Sequence, residues 1–372
     1  GGCVLAADVT CAEGHPPFSR SAMDGYAVRA GDAAEAGAKL KLAETVKAGT
    51  ESKQGLAAGT CIKIMTGAPV PDGADTVVMQ EYTQEEGGTV TFGRPAEKGR
   101  HIRYAGEDIA PGGVAASKGT LLAPQVIGTC ALVGAVRLKV YRKPVVAVLA
   151  TGDEIIEPDD PRPGGAFIRN ANGPMLLALL RERGVEGRYL GIAPDEPEAL
   201  KAMILEGLES DLLLITGGVS VGQFDYVPQV VAQLGLEYVF RKVRVKPGKP
   251  SNYALGARGK VFGIPGNPVS VYTTFHIFIR PMLRKMTGMR GVGTVYQGSL
   301  AAAYRSDAER LKAAPCTSEF ARGAYRLTPV KLNGSADLAG AGRANALAFI
   351  PAENRMLDAG ETVRFIKTGE DS

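Results

Sequence analysis

Four charged residues in the middle of the chain stand where apolar strands stop. Glu154 closes Thr151-Gly152-Asp153-Glu154 after the apolar run Val145 to Ala150. Asp225 closes the loop that follows Leu212 to Ile215. Lys246 and Lys249 lie in Arg244-Val245-Lys246-Pro247-Gly248-Lys249-Pro250. In a parallel α/β sheet the strand ends share one edge, and ligands bind in the crevice beyond it. Glu154, Asp225, Lys246 and Lys249 are therefore expected to converge. Two carboxylates about 4 Å apart repel by roughly 4 kcal/mol at an effective dielectric of 20. They coexist when a cation lies between them or one holds a proton. Mg²⁺ beside a phosphate meets that need, because it takes one or two carboxylates and fills its shell with phosphate oxygens and water.

The loop Thr216 to Asp225, with Gly217, Gly218 and Ser220, would supply backbone N–H groups to an anion, and the next helix its positive end. Ile264-Pro265-Gly266-Asn267-Pro268 forms a second turn at the same edge. Taken singly, each feature has a structural reading. Glycine after a strand can serve turn geometry, Asp153 can cap a helix, Pro265 and Pro268 can stiffen a turn, and a lone lysine can be solvated. Their joint occurrence at strand ends marks a site that binds a phosphorylated anion with a metal.

The elements that would position these residues follow from strand–helix alternation after Lys143. Strands are expected at Val145 to Ala150, Val185 to Ile192, Leu212 to Ile215, Leu236 to Val245 and Lys260 to Ile264. Helices are expected at Met175 to Arg183, Pro197 to Leu208, Tyr226 to Leu234 and Pro268 to Met286. This pattern means a parallel or mixed sheet covered by helices on both faces. Residues before 143 are rich in glycine, β-branched residues and turns, which predicts small β units and one helix over Pro124 to Ala135. After Gly288-Met289-Arg290-Gly291 come short alternating stretches, TVYQGSL, YRLTPVKL, ALAFIPA and ETVRFIK, which predict a C-terminal β domain.

With 372 residues, 45% hydrophobic and 22% charged, the chain is a multidomain globular protein. A net charge of +4 without basic runs argues against a nucleic-acid partner. No stretch approaches the ~20 apolar residues of a membrane span. The five scattered cysteines read as reduced thiols of a cytoplasmic protein, and the three scattered histidines give no zinc pattern. P-loop, dinucleotide and nucleophile-elbow motifs are missing, which disfavours ordinary nucleotide hydrolysis and serine-hydrolase chemistry. The chain opens on Gly1-Gly2 without an initiator Met, so upstream sequence is expected.

Longer strings carry a family resemblance. Ser21-Ala22-Met23-Asp24-Gly25-Tyr26-Ala27-Val28, Ile64-Met65-Thr66-Gly67-Ala68-Pro69-Val70-Pro71 and Ala105-Gly106-Glu107-Asp108-Ile109 precede TGDE, TGGVSVGQFDY, KPGKP and IPGNPVS. In this order they resemble the molybdopterin molybdenumtransferase family, which includes the bacterial MoeA proteins and the plant and gephyrin E-domains. The resemblance spans essentially the whole chain and is weakest after residue 290, where Arg343-Ala344-Asn345 matches only loosely.

The resemblance implies an elongated homodimer of four-domain subunits. Residues 1–15 plus 107–142 would form the N-terminal domain and 16–106 an inserted β-rich lobe. Residues 143–288 would form the molybdopterin-binding α/β domain and 289–372 a barrel-like β domain. The implied activity is transfer of molybdate into adenylylated molybdopterin with release of AMP and with Mg²⁺ held at Glu154 and Asp225. Asp24, Thr66, Asp108, Glu154, Asp225, Lys242 and Lys246 match catalytic positions. Gly217, Gly218, Ser220, Asp195, Lys249, Pro250, Pro265, Gly266, Asn267 and Pro268 match binding positions. Asp24, Thr66 and Asp108 would reach the cleft from the dimer partner. Read alone, Asp24 is a turn residue, Thr66 a turn cap, Asp195 an N-cap and Lys242 an exposed strand residue. Implied partners are the upstream molybdopterin adenylyltransferase and downstream molybdoenzymes or their chaperones. The alternatives are the adenylyltransferase activity itself and a non-enzymatic dimeric scaffold of gephyrin type.

Overall fold

Apolar residues on both faces of consecutive strands organise the second half of the chain. A computed structural model describes residues 2–161, 165–219, 226–289, 291–307 and 309–369. The chain divides into two compact bodies, residues 5–140, and residue 141 onward together with residues 2–4.

The first body is β-rich, as its composition predicts. Its strands are β1 (Gly25–Val28), β2 (Lys39–Val46), β3 (Thr60–Ile64), β4 (Thr76–Met79), β5 (Thr83–Glu86) and β6 (Thr89–Phe92). They form one sheet in the order β4-β1-β3-β2-β6-β5. Alternation places Tyr26, Val28, Cys61 and Phe92 on one face and Ala27, Ile62, Ile64 and Val77 on the other, each face packed. Helix α1 (Pro124–Leu132) starts with proline, whose missing N–H costs nothing in the first turn, and stops before Gly134 at φ +75°.

The second body is built around β7 (Val145–Thr151), α2 (Asn172–Glu182), β8 (Glu186–Ala193), α3 (Pro197–Gly207), β9 (Leu212–Thr216) and α4 (Val227–Gln233). Then come β10 (Glu237–Phe240), β11 (Val245–Lys246), β12 (Asn252–Gly256), β13 (Gly259–Ile264), α5 (Pro268–Thr274) and α6 (Arg280–Met286). The sheet order is β8-β7-β9-β13-β12-β10. β8, β7, β9 and β13 are parallel, whereas β12 and β10 add an antiparallel edge. Val146, Val148, Leu212 and Leu214 pack under α2, α5 and α6, while Ala147, Leu149, Leu213 and Ile215 pack under α3 and α4. Both faces are therefore buried, which is why these strands read as continuous apolar runs.

Two sequence expectations change here. The single strand from Leu236 to Val245 is two strands in different sheets. β10 is the antiparallel edge of the α/β sheet, and β11 pairs in parallel with a strand of the C-terminal domain. The charged link Arg241-Lys242-Val243-Arg244 leaves the first sheet for the second; Arg241 stacks over Tyr238, 4.6 Å from the ring centre. The helix expected over Pro268 to Met286 runs through but contains a π turn at Phe275–Ile279. Pro281 explains it, since a proline cannot donate to the carbonyl four residues back and its ring crowds that turn.

The C-terminal domain has β14 (Tyr296–Leu300), β15 (Leu311–Ala321), β16 (Ala324–Pro329), α7 (Leu338–Ala341), β17 (Ala346–Ile350) and β18 (Thr362–Lys367). β15-β16-β14-β18-β17 closes on itself through β15 and β17, a five-strand barrel that carries β11 on the outside of β15. β15 escapes the sequence reading because Leu-Lys-Ala-Ala-Pro-Cys lacks clear alternation. It changes partner near Cys316, pairing with β17 before it and β16 after it.

Candidate active site in two adjoining cavities

The parallel sheet reverses its winding at β7 and β9. The chain leaves β7 through α2 for β8 on one side, then returns through α3 to β9 on the other. Such a switch point opens a crevice at the strand ends. A cavity of about 580 Å³ occupies it, lined by Thr151, Glu154, Asn172, Asp195, Thr216, Gly217 and Gly218 with Pro265, Gly266, Asn267 and Pro268.

Glycine is required at the crevice floor. Gly217 has φ +92°, and a Cβ there would lie 2.6 Å from the carbonyl oxygen of Thr151. Gly218 has φ +59°, and its Cβ would lie 2.8 Å from Thr151 Oγ1. The strand ends are locked by Asn172 at the start of α2, whose Nδ2 donates to Thr216 Oγ1 at 2.9 Å and to the Gly266 carbonyl at 2.7 Å. Asn170 holds the helix start, accepting from Gly173 N–H at 3.0 Å and donating to the Tyr189 hydroxyl at 2.7 Å. Tyr189 in turn donates to Glu157. Thr151 Oγ1 and Asn172 Oδ1 are buried without a hydrogen-bond partner among the described residues.

Asp153 turns out to be a structural acceptor. Its Oδ1 accepts the Asp195 N–H at 3.0 Å, and α3 takes Glu196, not Asp195, as its N-cap residue. Glu154 is exposed and folds its carboxylate over Gly152, where a Cβ would lie 2.6 Å from Oε2. Asp225 and Ser220 lie outside the described residues. Among the described residues, no group of three or more His, Cys, Asp or Glu side chains could enclose a metal. Mg²⁺ needs fewer protein ligands when phosphate supplies the rest, so the exposed Glu154 carboxylate lining the crevice is compatible with such an ion.

A second cavity, of about 810 Å³, lies between the KPGKP loop and the barrel. It shares Pro250, Pro265 and Asn267 with the first. Its charged lining is entirely cationic among the described residues: Lys246, Lys249, Arg305, Arg310, Lys312 and Lys331. The barrel is tied to the start of α5 by Asn267 Nδ2, which donates to Ser335 Oγ at 2.8 Å, and by the Val269 N–H, which donates to the Ser335 carbonyl at 3.0 Å. Lys246 Nζ lies 2.9 Å from Asp307 Oδ2.

The expected convergence thus takes a different form. Glu154 faces the crevice and Lys246 and Lys249 the neighbouring cavity, because β11 belongs with the barrel. Lys242 is exposed and lines neither cavity. From sequence Asn172 reads only as a helix opener and Thr151 only as part of a strand end, and Ser335, Arg305, Arg310 and Lys312 are given no site role. The Asn170-Ala171-Asn172-Gly173 string was the one available signal, since two asparagines beside a helix start serve hydrogen bonding more readily than helix formation.

Asp24 and Thr66 meet in the first body. Asp24 Oδ1 accepts the Thr66 N–H at 2.6 Å and the Thr66 hydroxyl at 2.7 Å. These two bonds, the hydroxyl foremost, hold the Asp24 carboxyl below its ordinary value. Asp108 pairs with Arg103 at 2.6 Å and has His15 at 3.9 Å.

The chain matches three family descriptions in succession. These are the MoeA N-terminal region (domain I and II) over residues 1–134, a probable molybdopterin binding domain over 147–285, and the MoeA C-terminal region (domain IV) over 297–368. It is 34% identical over 387 residues to a molybdopterin molybdenumtransferase of Bacillus subtilis, covering 99% of this chain and 88% of that one. A molybdopterin molybdenumtransferase of Staphylococcus aureus is 33% identical over 381 residues, covering 99% and 89%. The solved molybdopterin biosynthesis MoeA protein of Pyrococcus horikosii superposes with a TM-score of 0.84 at 32% identity, over 99% of this chain and 92% of that one. The chain belongs to the molybdopterin molybdenumtransferase (MoeA) family.

Proposed function

We propose that this protein inserts molybdenum into molybdopterin in molybdenum-cofactor biosynthesis, acting on the adenylylated pterin and releasing AMP. The observation that carries this reading is the junction of two cavities of different chemistry. The switch-point crevice offers glycine amides, hydroxyls and carboxamides to a phosphorylated pterin. The charged side chains that line the adjoining cavity are all cations among the described residues, which suits a tetrahedral oxyanion such as molybdate.

Gly217, Gly218 and the Pro265 to Pro268 turn shape the pterin side, and Lys246, Lys249 and Pro250 position the oxyanion. Glu154 and Asp225 are the residues that would hold Mg²⁺, which supplies charge neutralisation at the pyrophosphate. The protein's own part is to fix both substrates in contact and to balance their negative charge, which is how phosphoryl chemistry gains most of its rate. Asp24, Thr66 and Asp108 complete the cleft from the partner of a homodimer, and Lys242 and Asp195 act at its margin. The four-part division at residues 15, 106, 142 and 288 belongs to the same reading. So do a cytoplasmic location and exchange of substrate and product with the adenylyltransferase and with molybdoenzymes or their chaperones. No helix among the described residues is long and apolar enough to cross a membrane.

Purified protein supplied with adenylylated molybdopterin, Mg²⁺ and molybdate is expected to release AMP in proportion to molybdate. Absence of molybdate-dependent release from a folded dimer refutes the proposal. Consumption of ATP with pyrophosphate release on free molybdopterin would assign the adenylyltransferase activity instead.

A further inference from the structure

The cationic cavity has one lysine that is anchored from outside. Asp307 does not line that cavity, yet its Oδ2 holds Lys246 Nζ at 2.9 Å on the flank facing Arg305, Glu309, Arg310 and Lys312. The carboxylate is itself fixed. Its Oδ1 accepts the Glu309 N–H at 3.0 Å, and the Asp307 carbonyl accepts the Asn354 N–H at 3.3 Å. The two segments are joined by backbone as well. Lys246 pairs with Lys312 in the β11–β15 ladder, the Leu311 N–H donates to the Arg244 carbonyl at 3.0 Å, and Arg244 Nη2 donates to the Glu309 carbonyl at 2.8 Å. The backbone that carries both partners and the Asp307 carboxylate are thus held in place, while the half-exposed Lys246 side chain reaches the carboxylate from β11. The Glu309 amide, then the Lys246 ammonium, bring the Asp307 carboxyl down to about 2, so it stays charged at neutral pH.

Neighbouring cations are placed differently. Lys312 lies 4.5 Å from the centre of the Tyr304 ring, and Arg305 donates to Asn354 Oδ1 at 3.3 Å. Lys246 therefore faces a choice between a fixed carboxylate and any oxyanion that enters the cavity.

We propose that Asp307 is a positioning residue that holds the Lys246 ammonium at the cavity lip and, by its negative charge, limits how tightly the cavity binds tetrahedral dianions. The inference rests on the assignment of this cavity to molybdate. A fixed charge of this kind would let the oxyanion bind, yet leave as the product forms.

Asp307→Asn tests it, because the carboxamide oxygen still accepts the Glu309 N–H while the charge is lost. A dianion ~6 Å from the removed charge, screened as in water, gains on the order of tenfold in affinity. Molybdate binding to the whole protein is measured by equilibrium dialysis for wild type, Asp307→Asn, Asp307→Glu and Lys246→Ala. Asp307→Asn is expected to bind molybdate about tenfold more tightly at low salt, with the difference shrinking as salt rises. Asp307→Glu is expected to resemble wild type. In turnover, Asp307→Asn is expected to lower both the half-saturating molybdate and kcat, a split that general damage to the fold does not produce. Asp307→Ser, which also keeps an acceptor for the amide, provides the same comparison if the asparagine variant folds poorly. Equal or weaker binding in the charge-removed variants overturns the inference. Unchanged binding in Lys246→Ala overturns the assignment of the cavity itself, so the two failures are distinct.

Discussion

One methyl group placed on Gly217 tests whether the switch-point crevice is the rigid pterin seat described above. Gly217→Ala has a natural control in Gly235→Ala. Both glycines have left-handed backbones, φ +92° and φ +76°, but a Cβ on Gly235 meets nothing within 4 Å. Each variant pays roughly 1–2 kcal/mol for an L-residue in that conformation. At Gly217 the methyl also lies 2.6 Å from the Thr151 carbonyl oxygen and 2.8 Å from Thr151 Oγ1. That carbonyl belongs to the last residue of β7, which stays in register with Ala193 of β8, so relief of the clash requires the ends of β7 and β9 to part. Overpacking of that kind costs roughly 1–3 kcal/mol. Gly217→Ala is therefore expected to be about 2 kcal/mol less stable than Gly235→Ala. It is also expected to lose at least about tenfold in pterin affinity, since 1.4 kcal/mol is tenfold. Urea midpoints at matched slopes measure the first quantity, and fluorescence titration with molybdopterin measures the second. If Gly217→Ala and Gly235→Ala agree in both, the rigid-seat reasoning is wrong.

Two other outcomes follow from separate parts of the molecule. Mixing Asp24→Ala with Lys246→Ala protein, each inactive alone, is expected to restore molybdate-dependent AMP release through mixed dimers; no recovery after subunit exchange would place both residues in one subunit's site. His276 is 1% exposed among Tyr272, Phe275, Arg280 and Arg183, and burial, then Arg280 and Arg183, push its pKa from 6.5 to about 3. The unfolded chain binds a proton there below about pH 6.5 that the native state refuses, so stability must fall as pH drops from 6.5 toward 3. At pH 5 the loss is ~2 kcal/mol. His276→Phe is expected to remove that part of the difference between pH 7 and pH 5 in urea unfolding, and an unchanged difference counts against it.

What could be read from sequence depended on how local the cause was. Leu212 to Ile215 announced β9 because both of its faces are buried, and Gly217-Gly218 announced a turn because the positive φ values demand glycine. The two cavities were not legible as separate. Their separation depends on β11 leaving the α/β sheet to join β15, and Val245 and Leu311 are far apart in the chain. Asp307 was silent for the same reason, since it meets Lys246 across 61 residues. Asn172 reaches Thr216 across 44 residues, a bond no local pattern encodes. β15 was hidden because Ala313, Ala314, Pro315 and Cys316 bury small side chains in the barrel without the large apolar alternation that marks a strand.

In the proposed function, oxyanion and pterin occupy adjoining cavities that meet at Pro250, Pro265 and Asn267. Anomalous scattering at the molybdenum edge, from crystals soaked with molybdate and AMP, tests it most directly. A molybdenum peak is expected beside Lys246 and Lys249, with the nucleotide outside that cavity. A peak in the crevice against Thr151 and Gly217, or none in either cavity at saturating molybdate, would contradict it.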